Sequence, residues 1–401
     1  MKLRSKEPYW LLRNGIINSY PSLRKDVSCD VLVVGGGISG ALSAYQFSTE
    51  GYRTILIDRR DIGMGSTCAN TAMLQYEIDE PLYSLRGLVG HEAANDTYIQ
   101  GVHAIHKLND IIKTLRVDCG FKYKQSLQVA TSLLDAEGLA RELACRKEVG
   151  IEVRWVKKGE LFSGFGVVGE GGILSDVAGS MDVYQLTHAL LSYSEKKFGL
   201  QVYDHTALQK VEYEKFQNVV MVDTGSTIAA KHTIYSTGYE SHDLIKNDIG
   251  KLISTYACIS EPFARLPSAL FDTVFWNTED PYFYCRGTFD NRILIGGEDE
   301  QFKNPEKRDA LIEEKESDLV EKFQQFIPGI KFIPDFSWAG TFGVTKDALP
   351  FIGPNPDYPN SYFMLGFGGN GTTFSIMGMD ILSDAVAGRP NKFLEYFKFN
   401  R

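Results

Sequence analysis

Residues 30–34, DVLVV, form a short unbroken apolar run, the pattern of a strand buried on both faces of a parallel sheet. Three glycines follow at once. After them ALSAYQFSTEG places apolar residues at Leu42, Tyr45 and Phe47, which predicts a helix closed by Gly51. YRTILID then predicts a second strand that ends on Asp58. Further along, ANDTYIQGVHAIHKLNDIIKTL carries Ile99, Val102, Ile105 and Ile112 at helical spacing. SLQVAT reads as a strand and LLDAEGLARELACRKEVG as a helix. TYACISEPF, YFYCRGTF and RILIGG read as strands, with FDNR as a hairpin turn. NPEKRDALIEEKESDLVEKFQQFIPG predicts one amphipathic helix with a solvated Glu/Lys face. Pro354, Pro356 and Pro359 mark a surface loop.

The order strand, glycine turn, helix, strand, acid is the context that a dinucleotide fingerprint requires. Each part has a task. Gly35 permits the tight turn. Gly37 lets backbone approach a pyrophosphate. Gly40 lets helix and strand pack closely. The helix N-terminus offers amide donors and partial positive charge to phosphates, and Asp58 can accept from ribose hydroxyls. The pattern alone does not separate FAD from NAD.

Four later stretches do. DIGMGSTCANTAMLQ resembles the small-residue segment that follows the ribose acid in the D-amino acid oxidase / glycine oxidase superfamily of FAD-dependent oxidoreductases. AKHTIYSTGYES resembles the superfamily's strand and Ser/Thr-Gly turn. SWAGTFGVTKDALPFIGPNP resembles its tryptophan-glycine box, and LGFGGNGTTFSIMGMDILSDAVAG its closing glycine turn and helix. The leader PYWLLRNGIINSYPSL looks closest to the γ-glutamylputrescine-oxidase-like branch. The resemblance implies an α/β (α+β) fold. A Rossmann-like FAD-binding domain, discontinuous over 1–90, 181–250 and 336–401, would be joined by a substrate domain with a mostly antiparallel sheet, over 91–180 and 251–335. It implies non-covalent FAD held by Gly35, Gly37, Ile38, Ser39, Gly40, Asp58, Arg59, Gly65, Ser66, Thr67, Thr71, Ala72, Val211, Thr237, Gly238, Trp338, Gly340, Asp347, Gly368, Gly369, Asn370, Gly371 and Thr372. It further implies hydride transfer from an amine or amino-acid-like substrate to the flavin, with oxygen or another electron acceptor next. A flavin dehydrogenase of a 2-hydroxy acid and a flavin-binding protein without turnover stay open.

Departures from the family pattern narrow the substrate. Where relatives carry a carboxylate-binding arginine, this chain aligns Phe342 and Gln75. Where some carry a lysine over the flavin, it aligns Leu294. A small α-amino acid held by the usual arginine is therefore not expected, and fast use of oxygen is in doubt. In PYFYCRGTF, Tyr282, Tyr284 and Arg286 alternate and share one face of a strand. They are the candidate catalytic residues: an aromatic wall and an anion hook. Tyr76, Glu77 and Asp79 could attract a cationic amine.

The chain has 401 residues, 43% hydrophobic and 23% charged, with net charge −9, which points to two domains and away from nucleic acid as main partner. The six cysteines form no CxxC pair and read as reduced thiols. His103 and His106 alone make no metal site. No leader resembles a signal peptide and no apolar run suits a membrane span, so a cytoplasmic location is expected.

Overall fold

A computed structural model describes residues 1–5, 7–246 and 248–401, with Asp243 by its backbone alone. The first sheet is assembled from distant parts of the chain. Val27–Val34 pairs in parallel with Thr54–Ile57 on one side and Thr227–Tyr235 on the other. Gln201–Tyr203 extends the first side and Ser361–Leu365 the second, both in parallel. Val31, Leu32 and Val33 are fully buried, because helices cover one face and a second apolar layer the other. This burial on both faces is what an unbroken apolar run encodes. Phe351–Pro354 closes one edge in antiparallel register, and the hairpin Leu208–Tyr213/Asn218–Val222 extends from Thr227–Tyr235.

The helix Ile38–Thr49 packs between Val183–Phe198 and Gly371–Val386, so nearly every side is buried, not one stripe. The long helix His91–Leu115 also joins this layer. Its buried stripe runs through Ala94, Tyr98, Gly101, Ile105, Leu108 and Ile112, whereas Ile99 and Val102 are only half-buried. The face turns because Gly101 lies against Tyr76; a Cβ there would sit 3.1–3.3 Å from Tyr76 atoms.

Among the described residues the second sheet has nine strands and is antiparallel except where Thr273–Asn277 runs parallel to Lys122–Ala130. Met73–Gln75 and Pro334–Val344 belong to this sheet, so the segments 1–90 and 336–401 each contribute to both halves. The leader adds to its edge: Ser5 N–H donates to Ala339 O, and Thr341 N–H to Leu3 O. The single amphipathic helix expected near residue 310 is two, Pro305–Ala310 and Ile312–Phe326. Its polar run is not wholly solvated. Arg308 is buried against Thr341 Oγ1 and Lys2 O, and Lys315 turns in to Glu298 and Glu300. All six cysteines are free. Among the described residues no helix is long and apolar enough to cross a membrane.

Candidate active site

The glycine turn opens a groove of about 260 Å³ at the carboxyl ends of the first sheet's central strands. Gly35 has φ +110°, and a Cβ there would meet Ser236 O at 2.4 Å, so only glycine fits. Gly37, Ile38 and Ser39 line the groove at the start of their helix. Ile38 N–H donates to Thr67 Oγ1 at 3.0 Å. Gly40 lies beneath the turn, not on the wall: its missing side chain leaves room for Gly35 O. Asp58 Oδ2 accepts from Gly36 N–H at 2.6 Å and Oδ1 from Arg60 N–H at 2.8 Å. Burial raises the Asp58 pKa, against the pull of these two amides. Arg59 also lines the groove and pairs with Glu240, as does Arg60 at 2.6 Å. Gly65, Ser66, Thr67, Thr237 and Gly238 complete the predicted set on this wall.

A wider cavity of about 600 Å³ lies between the two sheets. Leu3, Ser66, Asn70, Tyr239 and Gly371 line both spaces, so groove and cavity are continuous. Thr71, Gly340, Gly368, Gly369, Asn370 and Thr372 line the wide part. Asn370 Nδ2 donates to Gln75 O at 3.2 Å and Glu77 O at 2.7 Å, tying the closing turn to the segment after the ribose acid.

The remaining expected cofactor residues stand elsewhere, each for a physical reason. Ala72 is buried, its N–H held by Asn70 Oδ1. Trp338 sits in an aromatic cluster and donates Nε1–H to Ala69 O at 2.9 Å. Val211 lies on the outer hairpin; Thr206, Ala207 and Leu208 reach the groove instead. Asp347 pairs with Arg401 at 2.6 Å and accepts from Leu349 N–H.

Tyr282 and Tyr284 line the cavity, with Gln75, Trp276 and Phe342. Arg286 does not, which removes the expected anion hook. Its Nε–H donates to Thr71 O at 2.8 Å, and its guanidinium lies 5.7 Å from the Trp10 ring. Burial lowers its pKa to about 10. Leu294 is buried behind this wall, in the aromatic cluster of Trp10 and Trp338. Cys68 is also off both walls, and burial pushes its thiol up to about 11.

The sequence offers Asp79 only as one of two acids, with Glu77, beside Tyr76. Asp79 is open to the cavity and accepts from Gly369 N–H at 3.0 Å; enclosure by protein raises its pKa. A Cβ on Gly369 would meet Asp79 Oδ1 at 2.9 Å and Tyr282 Oη at 3.2 Å, so these groups converge on one point. Burial holds Tyr282 well above its usual pKa, hence protonated. Tyr76 points away, whereas Glu77 lies on the cavity wall and joins a buried network behind it through Oε1: Arg146 donates to Glu142 Oε1 at 2.7 Å, to Gln128 Oε1 at 2.9 Å and to Glu77 Oε1 at 3.3 Å. Leu3, Ser236 and Thr255 also reach the walls, and nothing in their local pattern signalled it. Asp61, Asp204 and His205 bring ligand-type atoms within 4.8 Å, with Asp204 buried and His205 exposed; Asp204 Oδ2 accepts from Tyr20 N–H, and Asp61 faces His205 at 3.3 Å.

A flavin dinucleotide fits these spaces on two observations. Glycines keep side chains out of the turn, and the buried hydroxyls of Ser66 and Ser236 on the groove wall have no hydrogen-bond partner. Comparison with known proteins agrees. The family model described as FAD dependent oxidoreductase matches residues 30–384. Glycine oxidase of Geobacillus kaustophilus is 23% identical over 91% of this chain and 94% of its own length. Gamma-glutamylputrescine oxidoreductase of Escherichia coli is 23% identical over 93% of this chain and 87% of its own length. The crystal structure of the Geobacillus glycine oxidase superposes with TM-score 0.77 at 20% identity, over 93% of this chain and 99% of that one. The chain belongs to the FAD dependent oxidoreductase family, and its cofactor is FAD.

Proposed function

We propose that the chain oxidises a C–N bond of an amine or amino-acid-like substrate in the wide cavity. The observation that carries this reading is the convergence of Asp79, Tyr282 and Gly369 on one point of the cavity that continues the dinucleotide groove. The groove residues, Gly35, Gly37, Ser39, Asp58, Ser66 and Thr237, would hold the dinucleotide non-covalently, and Gly371 and Thr372 the ring end, where the helix Gly371–Val386 directs its N-terminal partial positive charge. Bound FAD supplies the hydride acceptor.

The residues of this chain do the rest. Tyr282, Tyr284, Trp276 and Phe342 shape the cavity and exclude water from the reacting carbon. Asp79, with its pKa raised by enclosure, attracts a protonated amine and takes its proton, leaving the nitrogen lone pair free as hydride departs. The protonated Tyr282 hydroxyl donates a hydrogen bond beside it. Six free thiols suit a reducing compartment, and we place the reaction in the cytoplasm.

The test is anaerobic mixing of the holoenzyme with a panel of amines, amino acids and 2-hydroxy acids, followed at the flavin's visible band. Bleaching by amines supports the reading. Bleaching by hydroxy acids alone, or by none of the panel, refutes it. Admission of air after bleaching then tells whether oxygen is the acceptor.

A further inference from the structure

The wide cavity extends past its aromatic walls into an arm between the start of the helix Leu133–Glu148 and the end of the strand Thr273–Asn277. The described residues on its walls include five carboxylates, those of Glu77, Asp79, Asp135, Glu137 and Glu279, against one cation, Arg141. Solvated acids alone would mean little. The second observation is Glu77. It is 3% exposed, it lies on the cavity wall, and its Oε2 makes no hydrogen bond.

Its other oxygen shares Arg146 with Glu142, and Arg146 makes its shorter contact to Glu142. All three side chains are buried. Two carboxylates and one guanidinium leave the triad with one uncompensated negative charge. Such a charge is costly away from water unless a cation approaches. Burial raises the pKa of Glu77, and a cation brought beside it restores the carboxylate. Trp276, Tyr282 and Tyr284 add ring faces that favour a cation on the way.

We infer that this arm is a subsite for a second protonated amino or guanidino group of the substrate, so that molecules with two basic groups are preferred over zwitterionic amino acids. This rests on the amine-oxidation reading and deepens it: Asp79 meets the amine that is oxidised, and the Glu77 end holds the other.

The test measures binding without turnover. Holoenzyme reduced with dithionite is titrated calorimetrically with α,ω-diamines of three to six carbons, with monoamines of equal length, and with ω-amino acids. A diamine is expected to bind about tenfold tighter or more than its monoamine, and the ω-amino acid more weakly than either. Glu77→Gln is expected to bring the diamine-to-monoamine ratio close to one. Equal wild-type affinities overturn the inference, as does a Glu77→Gln protein that loads FAD and keeps the full preference. If that variant fails to load FAD, the wild-type ratio alone decides. Flavin bleaching by amines with no diamine preference would remove this inference and leave the oxidation reading standing.

Discussion

Gly40→Ala adds one methyl group at the point where the dinucleotide turn and its helix meet. The new Cβ would lie 1.8 Å from Gly35 O and 2.9 Å from its carbonyl carbon, both backbone atoms. Acceptable contact begins near 3.0 Å, so helix and turn must separate by about 1.2 Å. Two effects compete in the apoprotein. Alanine gains about 1 kcal/mol of helix propensity over glycine, whereas overpacking costs about 1–3 kcal/mol. Apoprotein stability should therefore fall by no more than about 2 kcal/mol. Cofactor affinity should fall further, because the amides of the first helical turn withdraw from the groove. Losing one hydrogen bond to a charged group costs about 1.5–3 kcal/mol, which is tenfold to a hundredfold in Kd. Apoprotein is titrated with FAD by quenching of flavin fluorescence, with thermal melts run alongside. Gly87→Ala is the control: that helical glycine has nothing within 4 Å, and alanine there should leave FAD affinity unchanged. A Gly40→Ala protein that binds FAD as the wild type does would refute the argument that close packing of turn and helix sets the groove.

Burial raises the Asp299 pKa from 3.8 to about 7, and its Oδ1 has no hydrogen-bond partner. The folded state keeps a proton that the unfolded chain releases, so this stability is present below about pH 4 and lost as pH rises to about 7, on the order of 4 kcal/mol at most. Asp299→Asn should raise Tm at pH 8 and leave it nearly unchanged at pH 4; an equal effect at both would sink the assignment. Arg146→Met leaves Glu77 and Glu142 buried without their cation and should cost about 3–5 kcal/mol in urea unfolding, with a smaller loss at low pH, where Glu77, its pKa raised by burial, is protonated. Ser132 accepts from Asp135 N–H at 3.1 Å within a capping box, so Ser132→Ala should lower stability by about 1 kcal/mol.

The central strands and the glycine turn are legible because each is encoded within a few neighbouring residues: Val31–Val34 and Ile55–Ile57 are unbroken apolar runs, and Gly35 needs a positive φ. What failed depended on residues far away. Tyr284 and Arg286 lie on the strand Tyr284–Gly287 with Tyr282 just before it, but the leader's Trp10 lies over Arg286 and keeps it off the cavity wall that the two tyrosines line. A polar-aromatic leader gives no local sign that it will be buried. Val211, Trp338 and Asp347 came from the register of a resemblance, and one step along a strand moves a side chain from wall to interior. Glu77, Glu142 and Arg146 come from a loop and a helix distant in the chain, so no spacing rule links all three.

The first sheet joins strands at residues 27–34, 227–235 and 361–365, and the ring-end turn follows at 368–372. A ribosome that has delivered the glycine turn must therefore add more than three hundred further residues before that turn has its full set of neighbours. Loading of the pigment is consequently a post-translational event, and the half-made chain must carry an unpaired, strongly apolar strand edge throughout synthesis. Such late, non-local strand pairing is slow and exposes the nascent polypeptide to aggregation, so yield on overexpression should depend on chaperone supply and riboflavin as much as on the finished molecule's stability.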